Sequence, residues 1–299
     1  MNLILLILGF ILLLKGADWF VDGASSIAAR FGIPQLIIGL TIVAMGTSLP
    51  EAFVSVTAAL KSNAAITIGN VVGSNILNIG IILGITSLIK TLHLQKSTIR
   101  YEIPFMIFVS LVLILLGLDQ TISRFDGILL WILFLAYLFY IYKVSQQTTE
   151  EVTTKKTNIL YIPLGLVCLL LGSNFAVDGA TNLALYFGIS QRFIGLTIVA
   201  LGTSLPELVT SVLAAKKGNS DIAIGNIVGS NIFNILFVVG TSALITPVPF
   251  EPKFIIDTCI AIVMGLLLWL CTRKSQKLTK YAGILLLLVY FVYFVYLVL

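Results

Sequence analysis

The sequence predicts an all-α membrane protein of ten transmembrane helices, folded as two inverted five-helix repeats with kinked, discontinuous helices at the midplane. Three observations predict it. The chain is apolar along its whole length, its apolar residues fall into ten stretches of spanning length, and a long internal duplication begins again after five of them.

Composition sets the class. Of 299 residues, 59% are hydrophobic and 10% charged, and the mean hydropathy is +1.09. A soluble domain carries about 25% charged residues. The apolar excess is not confined to one anchor, which excludes a globular protein tethered by a single segment. Cys168, Cys259 and Cys271 all lie in apolar stretches without a CxxC or Cys/His pattern, and read as small lipid- or core-facing side chains. His93 stands alone in a polar loop, which argues against a zinc site or His-dependent catalysis. The segment Met1 to Leu14 lacks a basic region before its apolar run, since Lys15 follows it, and it recurs in mid-chain; it reads as a helix, not a signal peptide.

The apolar stretches cover approximately 2–21, 36–60, 66–89, 102–118, 126–142, 159–177, 192–215, 222–246, 254–272 and 279–298. A helix needs about 20 residues to cross roughly 30 Å of hydrocarbon, and the runs lack the alternation of a membrane β-barrel. With the N-terminus outside, the inner loops hold 13 Lys and Arg and the outer loops 4. The positive-inside rule therefore puts both termini outside. Residues 1–144 form the first repeat, 145–158 a short cytoplasmic linker and 159–299 the second repeat.

The duplication is unambiguous. Residues 16–89 align without a gap onto 172–245, with 43 identities in 74 positions. IGLTIVAMGTSLPE at 38–51 returns as IGLTIVALGTSLPE at 194–207, and IGNVVGSNILNI at 68–79 as IGNIVGSNIFNI at 224–235. An odd number of helices before the second copy inverts it, which places a substrate site near the midplane between the copies.

The chemistry lies in the repeated polar residues. Glu51 and Glu207 sit inside apolar stretches, where a carboxylate costs roughly 2.5–3.5 kcal/mol. Only Lys15 offers a basic partner within a helix, so the expected compensation is a bound cation; if the empty site is protonated, protons compete with that cation. Ala44, Thr47, Ser48 and Glu51 share one helix face, as do Ala200, Thr203, Ser204 and Glu207. Pro50 and Pro206 disturb the turn at Gly46 and Gly202, so a break is expected that frees carbonyls around Ala44–Thr47 and Ala200–Thr203. The next helix presents Ser74 and Asn78, mirrored by Ser230 and Asn234, which read as ligands facing the glutamate helix. Asn70, Asn75, Asn226 and Asn231 are open between ligand and interhelical hydrogen-bond glue. Asp22 and Asp178, in a repeated VDGA, read as helix caps. Carboxylate, hydroxyl, carbonyl and amide oxygens without thiolate or imidazole suit a hard cation, Ca²⁺ or Na⁺.

The paired GTSLPE and GSNI-x-N blocks resemble the alpha-repeats of the sodium/calcium exchangers, within the calcium/cation antiporter superfamily, in their compact prokaryotic form. The resemblance implies that Glu51 and Glu207 hold Ca²⁺ with the carbonyls of Thr47 and Thr203. It implies one flanking sodium site from the Ala44 carbonyl, Thr47, Ser74 and Ser204, and another from the Ala200 carbonyl, Thr203, Ser230 and Ser48. Asn78 and Asn234 line the middle. It also implies electrogenic exchange of about three Na⁺ for one Ca²⁺ by alternating access. Proton/calcium exchangers carry Asn in place of Thr47 and Thr203, so this chain is expected to use sodium, with H⁺/Ca²⁺ exchange the alternative. Potassium-dependent relatives carry Asp in place of Asn234, which argues against potassium coupling. A passive channel is disfavoured by the inverted repeat. A hydrolase is disfavoured because Ser48 and Ser204 lack a base: His93 is in a loop, and Asp22, Asp178, Asp119 and Asp126 lie at membrane edges. The chain is thus not read as an enzyme. It needs no cofactor or nucleic acid, takes Ca²⁺ and Na⁺ as substrates, and sits in the lipid bilayer of the cell membrane as a monomer.

Overall fold

A computed structural model describes residues 2–61, 63–147, 158–188 and 200–298. Almost all of them are helical, because a backbone in hydrocarbon must satisfy its own polar groups. In chain order the elements are α1 (Asn2–Phe31), α2 (Gln35–Thr47), α3 (Leu49–Leu60), α4 (Ala65–Ile89), β1 (Leu92–His93), α5 (Thr98–Asp119), β2 (Thr121–Ile122) and α6 (Arg124–Gln147). There follow α7 (Tyr161–Tyr186), α8 (Ala200–Thr203), α9 (Leu205–Lys216), α10 (Ser220–Ile245), β3 (Val248–Pro249), α11 (Lys253–Thr272), β4 (Lys277–Leu278) and α12 (Lys280–Val298).

Eight of these helices are long and apolar enough to cross a membrane, and the bent pair α2–α3 makes a ninth. The expected stretch 192–215 is described only from Ala200 onward, and most of the expected linker 145–158 also lies outside the described residues. Helix α6 continues to Gln147, into the segment expected to be linker.

Burial separates a centre from a periphery. In α10 94% of the most apolar window is buried and in α4 72%, whereas the other six long helices lie between 22% and 39%. The two helices that carry the asparagines are therefore the protein-filled middle, and the rest present apolar side chains outward.

Two devices tie the halves together. Strand β1 pairs with β4 and β2 with β3, both antiparallel. β3 and β4 follow β1 and β2 by 156 residues, so each ribbon joins one connection from each half. The ribbons sit at opposite ends of α5. Helices α1 and α7 pack antiparallel along a glycine seam: a Cβ on Gly9 would meet the backbone of Gly172 and Ala176, and one on Gly16 the backbone of Gly165 and Leu169. Nothing larger fits there.

One expectation fails in this part of the fold. Asp22 and Asp178 cap no helix, because α1 runs on to Phe31 and α7 to Tyr186. Hydropathy falls after Val21, but the small residues Gly23 to Ser26 still adopt helix, so the end of the apolar run is not the end of the helix.

Candidate ion-binding site

The helix breaks come just before the prolines, two residues beyond the glycines. Ser48 (φ −83°, ψ 11°) separates α2 from α3, which diverge by 49°. Ser204 (φ −92°, ψ 7°) separates α8 from α9 in the same way. Pro50 and Pro206 then stand in the first turn of the new helix, where a missing N–H costs nothing. This puts Glu51 and Glu207 in first turns too, where the positive end of the helix dipole favours an acid. Each glutamate is 1% exposed.

Each break lends its hydroxyl to the opposite half. Ser48 Oγ donates to Glu207 Oε1 at 2.9 Å and Ser204 Oγ to Glu51 Oε1 at 3.2 Å. Ser74 Oγ donates to the same Glu51 oxygen at 3.4 Å. The second oxygens, Glu51 Oε2 and Glu207 Oε2, are buried with no hydrogen-bond partner. No cation of the protein answers them: among the described residues the ion pairs are Lys217 with Asp18 and Asp22, and Lys253 with Glu251. Lys15 is exposed on α1.

The asparagines divide into two roles. Asn75 and Asn231 cross-link α4 and α10, each amide donating to the other's backbone carbonyl at 3.1 and 3.2 Å. Their side-chain oxygens accept from Asn234 Nδ2 (3.1 Å) and Asn78 Nδ2 (2.9 Å). This four-membered ring fixes which way the inner pair faces. With their nitrogens committed, Asn78 Oδ1 and Asn234 Oδ1 are left buried and without a partner. Both residues open a wide π turn, Asn78–Leu83 and Asn234–Val239, a deviation common at functional sites. Asn70 Nδ2 braces the Glu51 carbonyl (3.1 Å) and Ser55 Oγ (2.9 Å). Asn226 does the same for the Glu207 carbonyl (3.4 Å) and Ser211 Oγ (2.9 Å). Ser55 and Ser211 were not among the expected site residues. Their signal is present in the sequence, since each stands four residues after its glutamate in both copies.

The remaining expected residues are near, with two differences. Thr47 is fully buried and donates to Asn226 Oδ1 at 3.0 Å and to the Ala44 carbonyl at 3.4 Å. The Ala44 carbonyl was expected to be freed by the break, yet it accepts the Ser48 N–H at 3.1 Å. Proline removes its own N–H, not that of the residue two before it, so this bond survives. Ser230 was expected to serve with Ala200 and Thr203, but its hydroxyl donates to Ala44 at 3.3 Å across the repeat boundary. Thr203 is half-buried, and the surroundings of the Ala200 side chain lie outside the described residues.

A cavity of about 860 Å³ leads to this cluster, with Leu49, Pro50, Phe53, Asn174, Asp178 and Thr203 in its wall. Four buried, unpartnered oxygens, two from carboxylates and two from amides, thus lie within one set of crossing helices beside an open approach. Burying such acceptors without partners is costly. Carboxylate and amide oxygens are both kinds of ligand that a hard cation takes.

The chain is similar to known proteins over nearly its whole length. The family described as sodium/calcium exchanger protein matches residues 1–143 and 157–299. The inner membrane protein YrbG of Escherichia coli (strain K12) is 39% identical, over 94% of this chain and 92% of its own. The sodium/calcium exchanger MaX1 of Methanosarcina acetivorans is 29% identical, over 97% of this chain and 96% of its own. A solved structure of the sodium-calcium exchanger NCX_Mj, soaked with zero Na⁺ and Ca²⁺, superposes with a TM-score of 0.87 at 34% identity, covering 99% of this chain and 98% of that one.

Proposed function

The chain belongs to the sodium/calcium exchanger family, and on that premise we propose that it is a secondary active antiporter that exchanges Na⁺ for Ca²⁺ by alternating access, electrogenically and at about three Na⁺ per Ca²⁺. The observation that carries this reading is the set of four unpartnered oxygens, Glu51 Oε2, Glu207 Oε2, Asn78 Oδ1 and Asn234 Oδ1. Two carboxylates neutralise one Ca²⁺, and the amide oxygens extend the shell without adding charge. Thr47, Thr203, Ser48, Ser204, Ser74, Ser230 and the carbonyls of Ala44 and Ala200 complete the cage and its flanking sodium positions.

The arrangement proposed around the site is ten spans in two inverted halves, residues 1–144 and 159–299, joined by a cytoplasmic linker at 145–158, with both termini outside. Several features support it. Elements recur 156 residues apart, α1 and α7 run antiparallel, and the two ribbons occupy opposite ends of α5. The large cavity then opens to the outside.

Three Na⁺ against one Ca²⁺ moves one net charge, worth about 2.3 kcal/mol per 100 mV. The test is isotopic calcium uptake into vesicles holding the purified protein, with Na⁺, K⁺ and pH gradients imposed separately. The expected result is uptake driven by an outward Na⁺ gradient, accelerated by an inside-positive and retarded by an inside-negative potential because one net positive charge leaves with each Ca²⁺ taken up, and indifferent to K⁺. Uptake driven by a pH gradient while Na⁺ does nothing would replace sodium with protons as the coupling ion.

A further inference from the structure

A second buried acid lies away from the ion cluster. Glu102 closes the wide turn Thr98–Glu102 that begins α5, and it is 1% exposed. Tyr140 of α6 donates its hydroxyl to Glu102 Oε1, while Glu102 Oε2 is buried and without a partner. A cavity of about 430 Å³ runs between α5 and α6, with Arg100, Glu102, Phe105, Phe108, Tyr137 and Tyr140 in its wall. The wall is graded along the span. Arg100 is exposed near the start of α5, and Phe105 and Phe108 follow roughly one and two turns deeper. Charge sits at the end of the membrane span and aromatic surface runs inward, which is the profile of an amphiphile.

We propose that this groove binds a phospholipid whose headgroup carries a primary ammonium, with Glu102 holding the ammonium, Arg100 the phosphate, and Phe105 and Phe108 the upper part of an acyl chain. The unpartnered carboxylate oxygen calls for a donor and a positive charge, and a primary ammonium supplies both. It has three N–H donors. The phenol oxygens of Tyr137 and Tyr140 keep lone pairs after donating to the Leu40 carbonyl and to Glu102, and their rings attract a cation. A quaternary ammonium has no N–H and leaves Glu102 Oε2 unbonded. An anionic headgroup brings like charge to the acid. A metal ion is poorly served, since Glu102 is the one carboxylate in the wall of the groove, beside the like-charged competitor Arg100 and phenols. A water-soluble amine leaves the aromatic length of the groove unfilled. Tyr137 also touches Leu40, in the π turn Gly39–Val43 just before Ala44, so the occupied groove braces the helix that leads to the ion cluster. The proposal stands independently of which ions are exchanged.

The test is lipid retention by the whole protein, delipidated in detergent and offered dioleoyl phosphatidylethanolamine, phosphatidylcholine or phosphatidylglycerol, read by native mass spectrometry. One phosphatidylethanolamine is expected to stay bound, favoured about tenfold over the other two, as a charge-assisted contact warrants. Glu102→Gln should bring its retention down to that of phosphatidylcholine, and Arg100→Gln should weaken all three lipids alike. Ala136→Trp, on the exposed lip of the groove, fills it without touching the buried acid and should remove the bound lipid even if Glu102→Gln does not fold. Equal retention of the three lipids, a preference that survives Glu102→Gln or Ala136→Trp, or displacement by water-soluble phosphoethanolamine would each overturn the proposal.

Discussion

On one side of the buried glutamates a cavity reaches Thr203 between Pro50 and Asn174; on the other, the corresponding Thr47 and Pro206 are buried. Pro50 is partly exposed and Pro206 buried, Asn174 exposed and Asp18 only partly so. The shut side has two fastenings. The ring of Phe20, fully buried, lies against Gly46. Lys217 Nζ sits 2.6 Å from Asp18 Oδ1 and 2.5 Å from Asp22 Oδ1. The residues 156 positions away on the open side are Lys61, Asn174 and Asp178, and none of them makes an ion pair among the described residues. Matching residues thus stand in two states at once. Under the proposed alternating access, Lys61 and Asp178 are the pair placed to fasten the open mouth. The fastenings are not equal, because Ala176 replaces Phe20 and Asn174 replaces Asp18. The shut mouth has the ring of Phe20 against Gly46 and two acids; its counterpart has the smaller Val177 against Gly202 and one acid.

The strongest test of this contrast concerns the site between the mouths, which should not share their asymmetry. Glu51→Gln and Glu207→Gln should each lower calcium flux on the order of a hundredfold, since each removes half the charge from a divalent site. Unchanged elution in size exclusion would show that folding survives. Substantial flux in one variant alone would mean that the halves do not contribute to a common cage.

A smaller effect is expected from the corresponding valines Val177 and Val21, the first lining the cavity and the second fully buried. In a background with Cys168, Cys259 and Cys271 replaced by Ser, Val177→Cys should react with a water-soluble thiol reagent about tenfold faster than Val21→Cys, because the buried thiol must await an opening. Similar rates would abolish the distinction between open and shut.

The smallest effect concerns the ion pairs. With side chains of Lys217, Asp18 and Asp22 between 27% and 42% exposed, each pair contributes about 0.2–1 kcal/mol. Lys217→Gln should then raise the labelling of Val21→Cys by about two- to fivefold, while Lys61→Gln leaves it unchanged. If Lys61→Gln has the larger effect, the fastening has been assigned to the wrong mouth.

Repetition in the sequence explains what was legible in it. Glu51, Glu207 and the serines of the breaks appear twice in apolar surroundings, and each serine lies within hydrogen-bond distance of the other half's glutamate. Asn75 and Asn231 were open between two roles because an amide offers both a donor and an acceptor; only the crossing of α4 and α10 commits each nitrogen to the other's backbone. Features unique to one copy were harder to see. Glu102 corresponds to Thr258, so repetition gives it no emphasis, and it stands at the very edge of its apolar stretch. The partnership of Asp22 with Lys217 spans 195 residues and follows from how the halves dock, which no local pattern records. The π turns leave no trace in hydropathy, since one extra residue in a turn does not change how apolar a run is.

The crossed ribbons carry a consequence for the order in which the chain is made. Leu92 and His93 leave the ribosome long before their partners Leu278 and Lys277. At about 5–20 residues per second, the early strand waits on the order of ten seconds or more with its backbone groups unclaimed. The other ribbon closes sooner, when Val248 and Pro249 arrive beside Thr121 and Ile122. Assembly is therefore vectorial: one end of α5 is clasped first, and the other only when the last connection of the chain, before α12, has been made. A nascent chain arrested between these two events would be half buttoned, and quality control has a defined edge to recognise.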